Sequence, residues 1–248
     1  MQALVGAVTR WGGPSRGPWA GFRGARDVSS KAVSATFRPP VTAPTQTGLQ
    51  VQGVHLWRGE RHVLRGVHLD APLGTFWHVR GPNGAGKTSL LRVVAGFLWP
   101  EDGQVLWKGQ ETRGLGDEFG AQMACLGHEP ALKADLTARE NILYLVGLRR
   151  AVSDAELDAA FVRLGIADHA DRPTRMLSAG QKRRAAMVRV LLSGAPLWLL
   201  DEPFTNLDVA GVELFAGLLA EHAAGGGVVL ATTHQPIPAP GVRTLELA

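Results

Sequence analysis

Cysteine is almost missing: Cys125 is the only one in 248 residues. No intrachain disulfide can form, a reducing compartment fits, and one thiol is too little for a zinc or iron–sulfur site. Long apolar runs are missing as well. No stretch approaches the roughly 18–20 residues of a membrane span. The best candidates, around Leu191 and Leu197–Leu200, are separated by Ser193-Gly194-Ala195-Pro196. A membrane role would therefore need a second chain. Acidic residues are scarce in one region only. Residues 1–47 hold Arg10, Arg16, Arg23, Arg26, Lys31 and Arg38 against Asp27. Of the 26 basic and 22 acidic residues in all, that leaves 20 and 21 for the rest. The positive balance belongs to this leader, and the body has no basic excess pointing to nucleic acid. The leader is rich in Arg, Ser, Gly and Pro, the composition of an organelle transit peptide. A disordered tail, or an upstream start in a GC-rich bacterial gene, are the alternatives. Residues 48–248 then suffice for one α/β domain.

What is present centres on Gly81-Pro82-Asn83-Gly84-Ala85-Gly86-Lys87-Thr88. This fits G-x-x-x-x-G-K-[ST], the phosphate-binding loop of nucleotide-hydrolysing domains. It follows an apolar strand pattern, Phe76–Val79, and precedes a helical one from Ser89 to Gly96. The glycines let successive N–H groups turn inward, and the helix start adds partial positive charge. Lys87 is expected to reach the β- and γ-phosphates of ATP, and the Thr88 hydroxyl to hold Mg²⁺.

Around this loop the pattern alternates strands and helices. Leu49–Leu56 and Val63–Leu69 read as strands flanking an Arg58–Arg61 turn. Trp57, just before that turn, is a candidate to stack on adenine, worth about 1 kcal/mol by analogy with base stacking. A partly buried strand tryptophan is the alternative. Gln104–Gly109 and Met123–Gly127 read as short strands. Thr137–Leu148 and Ser153–Leu164 read as helices, each opening with capping-box spacing, Thr137 with Glu140 and Ser153 with Glu156. Residues 142, 145, 146 and 148 are expected on one apolar face. Residues 130–176 thus form a helical insert. Leu177-Ser178-Ala179-Gly180-Gln181 opens a further helix over Lys182–Leu192, in which Arg183 and Arg184 read as a solvated face. Leu197–Leu200 is a buried strand ending in Asp201 and Glu202. Val209–His222 is a helix stopped by Gly225–Gly227, and Val228–Thr233 is a strand ending at His234.

Two carboxylates at a strand end beside a phosphate loop suit phosphoryl transfer, which needs placement and charge neutralisation. Asp201 is expected in the Mg²⁺ shell beside Thr88, and Glu202 is expected to polarise the attacking water. The order of loop, helical insert, Leu-Ser-x-Gly-Gln, Asp-Glu, Asp208 and strand-end His234 resembles the ATP-binding subunits of ABC transporters over residues 48–246. That resemblance implies a P-loop NTPase fold of class α/β, with an antiparallel β subdomain and a helical subdomain. It implies a head-to-tail dimer, in which Ser178 and Gly180 of one copy close over ATP held by the other. It also implies that His234 contacts the γ-phosphate and that Asp208 couples the two sites.

Two departures stand out. Ala179 replaces the usual glycine, and His128 stands where most members carry a Gln that senses Mg²⁺ and the membrane partner. Imidazole is a poor ligand for Mg²⁺, so His128 is expected to act through water or in partner coupling. Leu126–Pro130, Leu177–Arg184, Pro196–Thr205 and Thr232–Gln235 together are similar to the CcmA family, the haem-exporter ATPases of cytochrome c maturation. This implies a CcmB-like integral membrane subunit as partner. It also implies a location on the matrix face of the mitochondrial inner membrane, or on the cytoplasmic face of a bacterial plasma membrane. The ATPase of a different ABC importer or lipid exporter is the alternative, and it would carry Gln at 128.

Overall fold

The computed structural model describes residues 47–248. The leader expected over residues 1–47 lies, apart from Thr47, outside them. The described chain opens with β1 (Leu49–Arg58) and β2 (Arg61–Ala71), joined at Gly59-Glu60. Next come β3 (Thr75–Arg80), α1 (Lys87–Val94), β4 (Asp102–Trp107), β5 (Gln110–Glu111), α2 (Asp117–Ala121) and β6 (Met123–Leu126). Residues 130–176 hold α3 (Ala138–Gly147), α4 (Asp154–Arg163) and two 3₁₀ turns. The chain then runs through α5 (Ala179–Leu192), β7 (Leu197–Asp201), α6 (Val209–Ala224), β8 (Val228–Thr232) and β9 (Val242–Glu246).

The strands form two sheets. One is antiparallel, in the order β2-β1-β4-β5; the other is parallel, in the order β6-β7-β8-β3-β9. The parallel sheet explains why Leu197–Leu200 and Val228–Ala231 are unbroken apolar runs: both faces are covered. Trp198, Leu200, Val229 and Ala231 point into a core shared with Ile142, Phe161, Met187 and Phe215 of the helices. Leu197, Leu199, Val228 and Leu230 point the other way, against Leu90 and Val94 of α1 and the apolar side of β1 and β2. β1 and β2 have one buried face, so they alternate instead. β3 sits between β8 and β9, which brings the loop after it beside the ends of β7 and β8.

The helix starts follow their caps. Thr137 and Glu140 close a full capping box on α3. On α4 only half of it forms: Ser153 accepts from the Glu156 N–H, while the Glu156 carboxylate pairs with Arg150. The apolar face expected from residues 142, 145, 146 and 148 needs correction. Ile142 and Val146 are buried, but Leu148 lies past the helix end and is 73% exposed. β5, α2 and β9 have no counterpart in the sequence pattern. They have two to five residues each, and β9 is a largely exposed edge strand without a buried run. No helix among the described residues is long and apolar enough to cross a membrane.

Candidate functional site

The loop from Gly81 to Gly86 leaves the carboxyl end of β3 and runs straight into α1. Gly86 turns with φ 97°, and a Cβ there would stand 2.8 Å from Leu64 Cδ2 and 2.9 Å from Val63 Cγ1. Only glycine permits both that turn and the close approach of the β2 side chains. Arg61 of β2 donates to the Gly84 carbonyl at 2.8 Å, tying the hairpin to the loop. Lys87 is buried, and its ammonium donates to the Gly81 carbonyl at 2.8 Å and the Pro82 carbonyl at 3.1 Å. The first turn of α1 has no acidic side chain, so the positive end of the helix is uncompensated. A glycine-rich loop running into an uncompensated helix start, with one cation beside it, suits phosphate.

The facing wall comes from the ends of β7 and β8. Asp201 is buried; its Oδ2 accepts from Thr88 Oγ1 at 2.8 Å and its Oδ1 from Thr232 Oγ1 at 2.5 Å. Thr88 and Asp201 thus offer adjoining oxygens, the donors a hard cation such as Mg²⁺ prefers. Among the described residues no three His, Cys, Asp or Glu side chains gather as a metal cage. The remaining coordination positions would fall to phosphate and water, as is usual for this ion. Glu202 has a left-handed backbone, φ 51°, and its N–H donates to Thr232 O at 3.0 Å and to Thr232 Oγ1 at 3.1 Å. Its carboxylate lies 3.4 Å from His234 Nε2. Lys87, Thr88, His128, Asp201, Glu202 and His234 all line one cleft of about 1200 Å³. Asn83, Gly84 and Ser89 line it too.

Other expected residues lie elsewhere. Trp57 does not line this cleft; the hairpin turn contributes Arg58, Arg61 and Val63 instead. The strand alternation turns residue 57 away from the side that carries Leu56 and Arg58. There it stacks on His62, with centroids 3.7 Å apart, and stays 39% exposed. None of Leu177–Gln181 lines the cleft. Leu177 is in the core. Ser178 is exposed and caps α5, its side chain accepting from the Gln181 N–H while Gln181 accepts from the Ser178 N–H. Gly180 packs against the Asn206 carbonyl. Asp208 caps α6, accepting from the Gly211 N–H at 3.0 Å and from Arg184 at 2.9 Å. Those bonds, the backbone one foremost, hold its carboxyl below the usual range.

Arg183 is not on the solvated face that its basic neighbours suggest. It is 2% exposed, and its guanidinium donates to the carbonyls of Gly127, His128, Asp201, Glu202 and Pro203. Burial pushes its pKa down to about 10, against the opposing pull of Asp201 and Glu202, so it stays charged at neutral pH. Arg184 is half-buried and does reach a side-chain partner, Asp208.

The ABC transporter family profile matches residues 64–205. The chain is 44% identical to the cytochrome c biogenesis ATP-binding export protein CcmA of Methylococcus capsulatus over 202 residues, 81% of this chain and 98% of that one. The chain belongs to the ABC transporter family, on its CcmA branch. The CcmA of Nitrosococcus oceani is 41% identical, over 82% of this chain and 93% of its own. Among solved structures, this ABC ATPase is similar to a bacterial Atm1-family ABC exporter with ATP bound. There the TM-score is 0.72 and the identity 25%, covering 87% of this chain and 40% of the exporter chain. It shares its fold with a nucleotide-free ATP-binding cassette from an ABC transporter, with TM-score 0.69 and 19% identity over 81% and 89% of the two chains. Both CcmA relatives are bacterial, as is the CcmA of Salmonella typhi at 42% identity. The mitochondrial location expected from the leader finds no support in them, and the bacterial alternative fits.

Proposed function

We propose that this chain is the ATP-hydrolysing subunit of a complex that exports or delivers haem for cytochrome c maturation. The observation that carries the proposal is the 44% identity spanning 98% of a CcmA chain. Residues 48–248 act as one ATP-binding domain, with residues 130–176 as its helical subdomain. The complex works with a CcmB-like integral membrane subunit, and the chain sits through it on the cytoplasmic face of a bacterial plasma membrane.

The chemistry follows from the cleft. The triphosphate lies along Gly81–Ser89, with Lys87 turned from the loop carbonyls onto the β- and γ-phosphates. Thr88 and Asp201 would hold Mg²⁺, which would offset the charge that builds on the phosphates. The Glu202 carboxylate takes a proton from water as its oxygen attacks the γ-phosphorus; the bond to the β–γ bridging oxygen breaks, and ADP leaves. His234, 3.4 Å from Glu202, keeps that carboxylate aimed and meets the γ-phosphate. The exposed start of α5, with Ser178, Ala179 and Gly180, caps the ATP of a second copy, since its own cleft does not include it. Asp208 links the two sites, and His128, an exposed residue lining the cleft, passes the state of the partner to the nucleotide.

The test is to purify the chain from membranes and then remove it from the cell. We expect an integral membrane subunit to co-purify, and covalent haem attachment to c-type cytochromes to stop. Normal attachment in cells lacking the chain would refute the proposal.

A further inference from the structure

Arg183 is the largest fully buried side chain among the described residues. Burying a guanidinium is costly unless every donor is matched. Here it is matched, and by backbone alone. Nη1 donates to Gly127 O at 2.7 Å and His128 O at 3.2 Å, and Nε to Pro203 O at 3.3 Å. Nη2 donates to Asp201 O at 2.7 Å and to Glu202 O. Five acceptors meet the five N–H groups of the fork. The carbonyls come from two segments far apart in sequence: the one after β6, which carries His128, and the last residue of β7 with the turn that follows it, which carries Glu202.

Glu202 needs such a clamp. Its φ of 51° is unusual for a residue with a long side chain. Its N–H is fixed by Thr232 on one side and its carbonyl by Arg183 on the other. Strained backbone of this kind persists only where its surroundings over-determine it. Arg183 also rides on α5, whose first residues follow Ser178. One rigid, planar group thus connects the Ser178 helix, the His128 segment and the Glu202 backbone.

We propose that Arg183 is a positioning residue that fixes the Glu202 backbone, and so the aim of its carboxylate, in register with the His128 segment and α5. The inference rests on the reading of Glu202 as the group that activates water. A lysine offers three donors on a flexible stem and cannot reproduce the fork; glutamine offers two.

The test uses the full chain and compares Arg183→Gln and Arg183→Lys with the parent. Turnover is expressed per binding site, titrated with a fluorescent ATP analogue, so that unfolded molecules do not count. We expect kcat per site to fall about 10- to 100-fold in Arg183→Gln, the scale of a misplaced catalytic group, with KM within about threefold. Arg183→Lys falls less but in the same direction, and it carries the test alone if Arg183→Gln does not fold. In the Glu202→Gln background, Arg183→Gln should add less than about twofold, because residues acting through one another are not additive. Parent-like kcat per site in either folded variant, or full additivity with Glu202→Gln, overturns the proposal. Failure of the underlying reading shows separately, as parent-like turnover by Glu202→Gln alone.

Discussion

Gly180→Ala puts one methyl group at a place where two physical effects oppose each other. Gly180 lies in the first turn of α5, where alanine is the better helix former by about 0.5–1 kcal/mol. Its Cβ, however, would stand 2.5 Å from the Asn206 carbonyl oxygen, whereas ordinary contact begins at 3.4 Å. The clash is with backbone, so α5 or the Asn206 turn must move by the difference, 0.9 Å. Asn206 itself is held left-handed, φ 63°, between Glu202 and the Asp208 cap, which limits how it can yield. Overpacking of this kind costs about 1–3 kcal/mol, toward the top of that range for a backbone contact. The net loss is then about 1–2 kcal/mol, or roughly 2–8 °C in Tm for a fold of this size. Thermal unfolding followed by circular dichroism reads the loss, and ATP turnover reads the displaced Ser178 turn. Ala179→Gly, one residue earlier on exposed surface, serves as the control and should cost at most about 1 kcal/mol. A Gly180→Ala chain with unchanged or higher Tm and parent-like turnover would refute the reasoning.

Trp57→Ala should leave KM for ATP within about twofold, while Arg61→Ala, which loses a hydrogen bond to Gly84 worth about 1 kcal/mol, raises it about fivefold; steady-state kinetics of both variants decides. Thr88→Val removes the hydroxyl bonded to Asp201 at little change in shape. Turnover should fall about 10- to 100-fold, the scale of a hydrogen bond to a charged group, and chelating Mg²⁺ should stop the parent too. His222 stacks on Trp198 at 3.8 Å, and burial lowers its pKa below 6.5. The unfolded chain therefore binds the proton more readily, so stability is full above pH 6.5 and declines as the pH falls below it. Tm should drop between pH 7.5 and 5.5, and His222→Phe should flatten that drop; an equal drop in the variant argues against the assignment.

The sequence revealed most where the chemistry is local. The Gly81–Thr88 loop needs only its own backbone and the helix after it, so eight residues sufficed. β7 and β8 were legible because burial on both faces leaves an unbroken apolar run. Ser178 and Gln181 carried their capping box in their spacing. Arg183 was not legible. In a string of basic residues it reads as solvated surface, and only the meeting of Gly127, Asp201 and Pro203 from distant segments makes it buried. Trp57 sits by the turn as its position suggests, but the sequence does not show that alternation sets its face opposite to Arg58, where His62 stacks on it across the hairpin. Leu148 followed the apolar period but fell beyond the last turn of α3, where the period no longer points at the core. β9 is an exposed edge strand held by pairing to β3, and pairing leaves no pattern in its own residues.

The proposed ATP cycle requires that ATP be enclosed by two copies of the chain. Sedimentation of the full-length Glu202→Gln chain with ATP and Mg²⁺ tests this most directly. It should shift from one chain to two as ATP is added and return to one when ATP is removed, while the parent hydrolyses ATP with a rate per chain that climbs with protein concentration. A Glu202→Gln chain that binds ATP yet stays a single chain, beside a parent whose rate per chain is the same at every concentration, would contradict it.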